Sequence, residues 1–171
     1  MKKLYAILFL FCAVTATAST ESEKLNFQGN NLGLEGKFSQ AEAKFTTAIE
    51  IDPNYHEPWY NRGKARLNLK KYKKAISDFN KALTLYIDPN GIADVLNNRG
   101  IAKKKSGDLW GAIADYNRAL EQNPNLYRVY VNRGLAYYEL GMKKKAVRDF
   151  RISKDHGIEK GAEALNQLGV E

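Results

Sequence analysis

Three asparagines in this chain, Asn61, Asn98 and Asn132, are each followed by arginine and glycine, at spacings of 37 and 34 residues. A side-chain amide carries two donors and an acceptor, so it can pair with both backbone groups of an extended peptide. Three amides in one frame would make a ladder for a bound segment. The same groups serve equally well to bond neighbouring helices and fix how they stack. The arginines have a chemistry of their own. Arg62, Arg99 and Arg133 precede the glycines, while Asp78, Asp115 and Asp149 precede Phe79, Tyr116 and Phe150. The first copy of the pattern has neither charge, with Gln28 and Lys44 in those places. This co-occurrence predicts an Arg–Asp pair in each of the later copies, within a copy or across the seam to the next. A planar guanidinium suits such a bidentate pair. The pairs are then structural, and Arg99→Ala is expected to destabilise the fold more than it weakens binding.

Catalytic chemistry has no comparable signal. His56 and His156 stand alone, and no paired carboxylate, Ser–His or metal-ligand spacing recurs. The chain therefore reads as a non-enzyme that needs neither metal nor cofactor.

The elements that position these residues follow from a wider periodicity. Gly29, Gly63, Gly100 and Gly134 recur at 34, 37 and 34 residues, and so do Ala41, Ala75, Ala112 and Ala146. A period in this range marks a solenoid. In the second copy, Trp59 and Gly63 lie one turn apart on a first helix, and Ala75, Phe79 and Ala82 share a face of a second. Asn68 to Lys74 then holds the turn. Neither helix buries its stripe alone, so the two pack as a hairpin and neighbouring hairpins cover the rest. Glycine costs a helix interior about 1 kcal/mol relative to alanine, so four in register imply close packing. The copies take residues 22–55, 56–92, 93–126 and 127–157. The second is three residues longer and carries Asp88-Pro89-Asn90-Gly91, read as a displaced turn with an extra helical turn near Leu85 to Ile87 or a longer loop. The fourth has Ser153 for alanine and Ile158 for the closing proline. Beyond it, Ile158, Ala162, Leu165 and Leu168 predict a capping helix over residues 158–168. Trp110 is expected in the seam between helices, and the lysines at the hairpin turns (Lys70 to Lys74, Lys103 to Lys105, Lys143 to Lys145) on a solvated edge.

The recurring aromatic, glycine, alanine, aromatic, alanine and proline resemble the tetratricopeptide repeat. The resemblance implies an all-α right-handed superhelical solenoid of helix-turn-helix repeats, with the first helices lining a concave face. On that face it implies a peptide-binding groove of Phe27, Asn30, Tyr60, Asn61, Lys64, Asn98, Ile101, Arg128, Asn132, Leu135 and Tyr138. One family activity, a clamp for a C-terminal carboxylate, is not expected. Asn26 stands where its first lysine belongs, and Asp94 and Asn98 stand where lysine and arginine are wanted.

The N-terminal stretch reads as an export signal. Lys2 and Lys3 precede an apolar run from Leu4 to Val14, and Ala16-Thr17-Ala18 is a small-x-small cleavage pattern. Cleavage before Ser19 would leave a domain over residues 19–171, remove the single cysteine, Cys12, and take the net charge from +8 to +6. The run is too short for a spanning helix, which needs about 20 apolar residues. The expectation is a periplasmic or secreted adaptor whose partner is a peptide segment or helix of another protein. The alternatives are a self-assembling or complex-forming structural module, or a basic surface for an anionic polymer or lipid. Export argues against nucleic acid.

Overall fold

The computed structural model describes residues 20–85 and 88–170. The expected signal stretch lies outside them. Among the described residues the structure is helical: α1 (20–34), α2 (Phe38–Ile51), α3 (His56–Asn68), α4 (Tyr72–Leu85), α5 (Pro89–Lys105), α6 (Leu109–Gln122), α7 (Arg128–Glu139), α8 (Lys143–Asp155) and α9 (Glu159–Gln167). Two compact units succeed one another, the first ending at Leu85 and the second beginning at Tyr86. The first contains the hairpins α1–α2 and α3–α4. The second contains α5–α6, α7–α8 and the single helix α9.

Each hairpin closes on one contact. A Cβ built on Gly29, Gly63, Gly100 or Gly134 would lie 2.5–2.6 Å from the ring of Phe45, Phe79, Tyr116 or Phe150. The first helix thus approaches the second to a distance that only glycine permits. Ala41, Ala48, Ala75, Ala82, Ala112, Ala119 and Ala146 are fully buried around these rings. Ser153 takes the last alanine position and donates to the Phe150 carbonyl at 2.9 Å. Gly161 of α9 lies over it: a Cβ there would overlap Ser153 Oγ and come within 2.8 Å of the Phe150 carbonyl oxygen. The buried face of α9 is Gly161, Ala164 and Leu165, with Ile158 and Leu168 packed beside it. Ala162 is only half-buried, so the expected stripe turns slightly toward Gly161, because the closest approach is made there.

The extra turn or longer loop expected near Leu85 to Ile87 falls partly outside the described residues, since α4 is described as far as Leu85 and residues 86–87 are not. The following helix is longer than its counterparts: α5 has 17 residues against 13 in α3 and 12 in α7. Asp88 caps it by accepting from the Gly91 N–H at 2.6 Å, and Pro89 stands where its missing donor is not needed. Trp110 is 62% exposed near the start of α6 rather than packed in a seam.

Salt bridges tie each later hairpin together. Arg62 donates Nε–H and Nη2–H to the two oxygens of Asp78 at 3.0 and 2.8 Å. Arg99 does the same to Asp115 at 2.8 and 2.5 Å, and Arg133 to Asp149 at 2.8 and 2.8 Å. Each pair lies within one copy, and in two of them a third arm crosses the seam to the preceding copy. Arg62 Nη1 reaches Thr46 Oγ1 at 3.2 Å, and Arg133 Nη1 reaches Asn117 Oδ1 at 2.8 Å. The aspartates are buried, and removing one partner of such a pair costs about 3–5 kcal/mol. A second cation joins two of them, Arg66 on Asp78 at 2.7 Å and Lys103 on Asp115 at 3.0 Å. The equivalent residue in α7 is Tyr137. Arg66 and Lys71 also hold Glu42, at 2.9 and 2.7 Å. Burial alone would raise that carboxyl, but the two cations outweigh it and hold it below the usual glutamate range.

Candidate functional site

Successive first helices face one another within each unit, and the spaces between them are the candidate binding clefts. In the first unit, α1 and α3 border a cleft of about 410 Å³. Asn30, Gly33 and Leu34 line one side, Asn61, Lys64, Ala65 and Asn68 the other, and Phe38 and Phe45 the floor. The sequence-predicted Asn30, Asn61 and Lys64 meet here. Phe27 is 65% exposed on the same helix as Asn30 but does not line the cleft. Tyr60 packs its ring on Phe79 at 6.1 Å between centroids and lies under the Lys64 ammonium at 5.1 Å. It therefore braces the cleft from inside the hairpin. Leu34 is 88% exposed at the rim. The cleft offers amides, one cation and an apolar floor, a set that suits a peptide backbone with an apolar side chain.

The asparagines divide their hydrogen bonds. Asn61 Nδ2 donates to Oδ1 of the buried Asn26 at 3.0 Å. Asn26 in turn donates to Glu57 Oε2 at 2.8 Å and to the Tyr55 hydroxyl at 3.2 Å, and Tyr55 donates to Glu57 at 2.7 Å. Burial and the Glu57 carboxylate together raise the Tyr55 hydroxyl above its ordinary value. In the second unit, Asn132 Nδ2 donates to Oδ1 of the buried Asn97 at 2.8 Å. Asn98 donates to the Asp94 carbonyl of its own helix at 2.9 Å. Asn61 and Asn132 thus spend one N–H on joining the preceding first helix. Each keeps its Oδ1 and a second N–H without a partner among the described residues.

In the second unit the predicted residues are more scattered. Leu135 and Tyr138 of α7 face Ala164, Gln167 and Leu168 across a cleft of about 200 Å³, with Phe150 at its base. Arg128 is paired with Asp94, and Lys104 with Glu139 at 2.5 Å. Both bridges join α5 to α7. Ile101 is half-buried on α5, and Ile101, Asn98 and Arg128 do not line the α7–α9 cleft. His156 ends α8 and stacks on Tyr127 at 3.8 Å. Sequence reasoning named Asn26 only as the residue in place of the clamp's first lysine and did not name Asn97, and it assigned neither a role as buried acceptor. Their signal was a period of two copies: both stand three residues before the glycine, where copies two and four have Tyr60 and Val131.

Family models agree with this architecture. One described as tetratricopeptide repeat matches residues 56–88, and one described as TPR repeat matches residues 100–141. The chain belongs to the tetratricopeptide repeat proteins, a class that mediates protein–protein interactions. Human tetratricopeptide repeat protein 6 is 32% identical over 110 residues, 64% of this chain and 20% of that protein. RNA polymerase II-associated protein 3 of Xenopus tropicalis is 30% identical over 151 residues, 85% of this chain and 22% of that protein. The chain thus spans about a fifth of the length of these curated relatives. Among solved structures, MamA from Desulfovibrio magneticus RS-1 aligns with a TM-score of 0.73 at 21% identity, over 82% of this chain and 76% of that one. The first TPR of Spaghetti (RPAP3), solved with an HSP90 peptide, aligns with a TM-score of 0.68 at 28% identity, over 72% and 95%.

Proposed function

We propose that this protein is an exported, non-catalytic adaptor that holds a peptide segment or helix of a partner protein against its first helices. The observation that carries the reading is the α1–α3 cleft, where partly unused amides of Asn61 and its neighbours stand over an apolar floor. The structural neighbour solved with a bound peptide supports it. A carboxylate clamp is not part of the proposal: Asn26, at the position of the clamp's first lysine, is already bonded to the carboxylate of Glu57.

The test is a crosslinked pull-down from the envelope fraction of the native organism, using wild type beside the triple variant Asn61→Ala/Asn98→Ala/Asn132→Ala. A partner captured by wild type and lost by a variant of unchanged helicity is the expected result. Equal capture by both would remove the asparagines from the binding surface and leave them as links between helices.

A further inference from the structure

The last hairpin carries a second cleft, between α7 and α8. It has a volume of about 320 Å³ and is lined by Arg133, Tyr137, Lys145, Arg148 and Asp149. Its residues depart from the repeat. Arg148 stands where the other copies have Ala43, Ser77 and Ala114, and Tyr137 stands where α3 and α5 have Arg66 and Lys103. A large cation has been added at a small position, and a ring has replaced the second cation on the aspartate.

The electrostatics favour an anion of two charges. Asp149 is bound bidentately by Arg133, so these two cancel. Burial would lower the guanidinium's pKa, but the Asp149 bonds and charge outweigh it and raise it, so Arg133 stays charged. Three of its five N–H groups are used, on Asp149 and Asn117, and two remain. Lys145 and Arg148 are exposed and have no carboxylate partner among the described residues. The Lys145 ammonium is 5.4 Å from the centre of the Tyr137 ring, which Arg133 also approaches, at 5.9 Å. The cleft therefore presents two uncompensated positive charges beside an aromatic wall. A carboxylate would satisfy one of them. A phosphate monoester carries about −1.5 to −2 at neutral pH and three acceptor oxygens. The fork of Arg148 fits two of those oxygens, Lys145 the third, and Tyr137 the carbon side of the ester.

We infer that the cleft between α7 and α8 is a binding site for a phosphate monoester, separate from the peptide cleft. The test is a nuclear magnetic resonance titration of the full chain with phenyl phosphate, inorganic phosphate and benzoate. Phenyl phosphate should shift the Arg133 Nε–H and the amides of Tyr137 and Arg148, and should bind about tenfold or more tightly than benzoate. Lys145→Ala/Arg148→Ala should weaken it by about tenfold or more. The pair Lys143→Ala/Lys144→Ala removes the same charge from the same helix outside the cleft and should change it by less than about twofold. Weaker binding of inorganic phosphate supports an esterified ligand, and equal binding supports the same site with free phosphate as occupant. Shifts spread along α8, equal weakening by both pairs of substitutions, or benzoate binding as well as phenyl phosphate would overturn the inference.

Discussion

The ring that fills each hairpin is phenylalanine three times and tyrosine once, and the exception carries a cost. Tyr116 is fully buried, and its hydroxyl has no hydrogen-bond partner among the described residues. A buried hydroxyl left unpaired costs about 1–3 kcal/mol. Tyr116→Phe is therefore expected to raise the unfolding free energy by about 1 kcal/mol in urea titrations. A second signature distinguishes this cause from general repacking. Burial, with Asp115 and Glu139 adding to it, raises the hydroxyl pKa above its ordinary 10. The protonated form is the one the fold favours, so the stability is complete below pH 10 and declines as pH rises above 10 toward the raised value. Tyr116→Phe should flatten that alkaline decline, with Tyr55 accounting for part of what remains. The residue scale also shows where sequence reading stops. The sequence paired the right arginines and aspartates because both appear or vanish together. It left open what Asn61 and Asn132 bond, because an amide on a helix surface turns toward whichever neighbour its rotamer meets.

Among the elements, the turn between α3 and α4 is the one built against its residue preference. The corresponding turns place Gly36, Gly107 and Gly141 in the left-handed region, with φ of 75°, 92° and 74°. Lys70 occupies the same position with φ of 58°. A β-carbon there costs about 1 kcal/mol, so Lys70→Gly is expected to stabilise the protein by about 0.5–1 kcal/mol and to raise its melting temperature by a few degrees. A lower melting temperature would mean that the lysine side chain holds the turn in some other way. The hairpins themselves were legible because glycine, alanine and aromatic recur in phase and each has one packing task. The start of α5 was not. Asp88-Pro89-Asn90-Gly91 satisfies both a turn and a helix start, and only the bond from Gly91 to Asp88 decides for the helix.

At the scale of the molecule, structure divides the basic residues into those spent internally and those left to solvent. Buried aspartates absorb the arginines of the hairpins, while α8 keeps Lys143, Lys144, Lys145 and Arg148 exposed. The sequence placed the lysines of the hairpin turns on a solvated edge, but composition does not say which charges are spent internally. The proposed export makes one prediction for the whole chain: the protein recovered outside the cytoplasm begins at Ser19, as read by N-terminal sequencing. A protein that still begins at Met1 would remove the export reading while leaving the clefts untouched. The seating of Gly161 over Ser153 has a further consequence. Here α9 covers the last second helix at a distance that excludes a side chain, and turns Lys160, Glu163, Asn166 and Gln167 outward. That spacing makes Gly161 the gauge of the contact: Gly161→Ala should push α9 off Ser153 and the Phe150 carbonyl and lower the melting temperature by a few degrees, while leaving the hairpins folded.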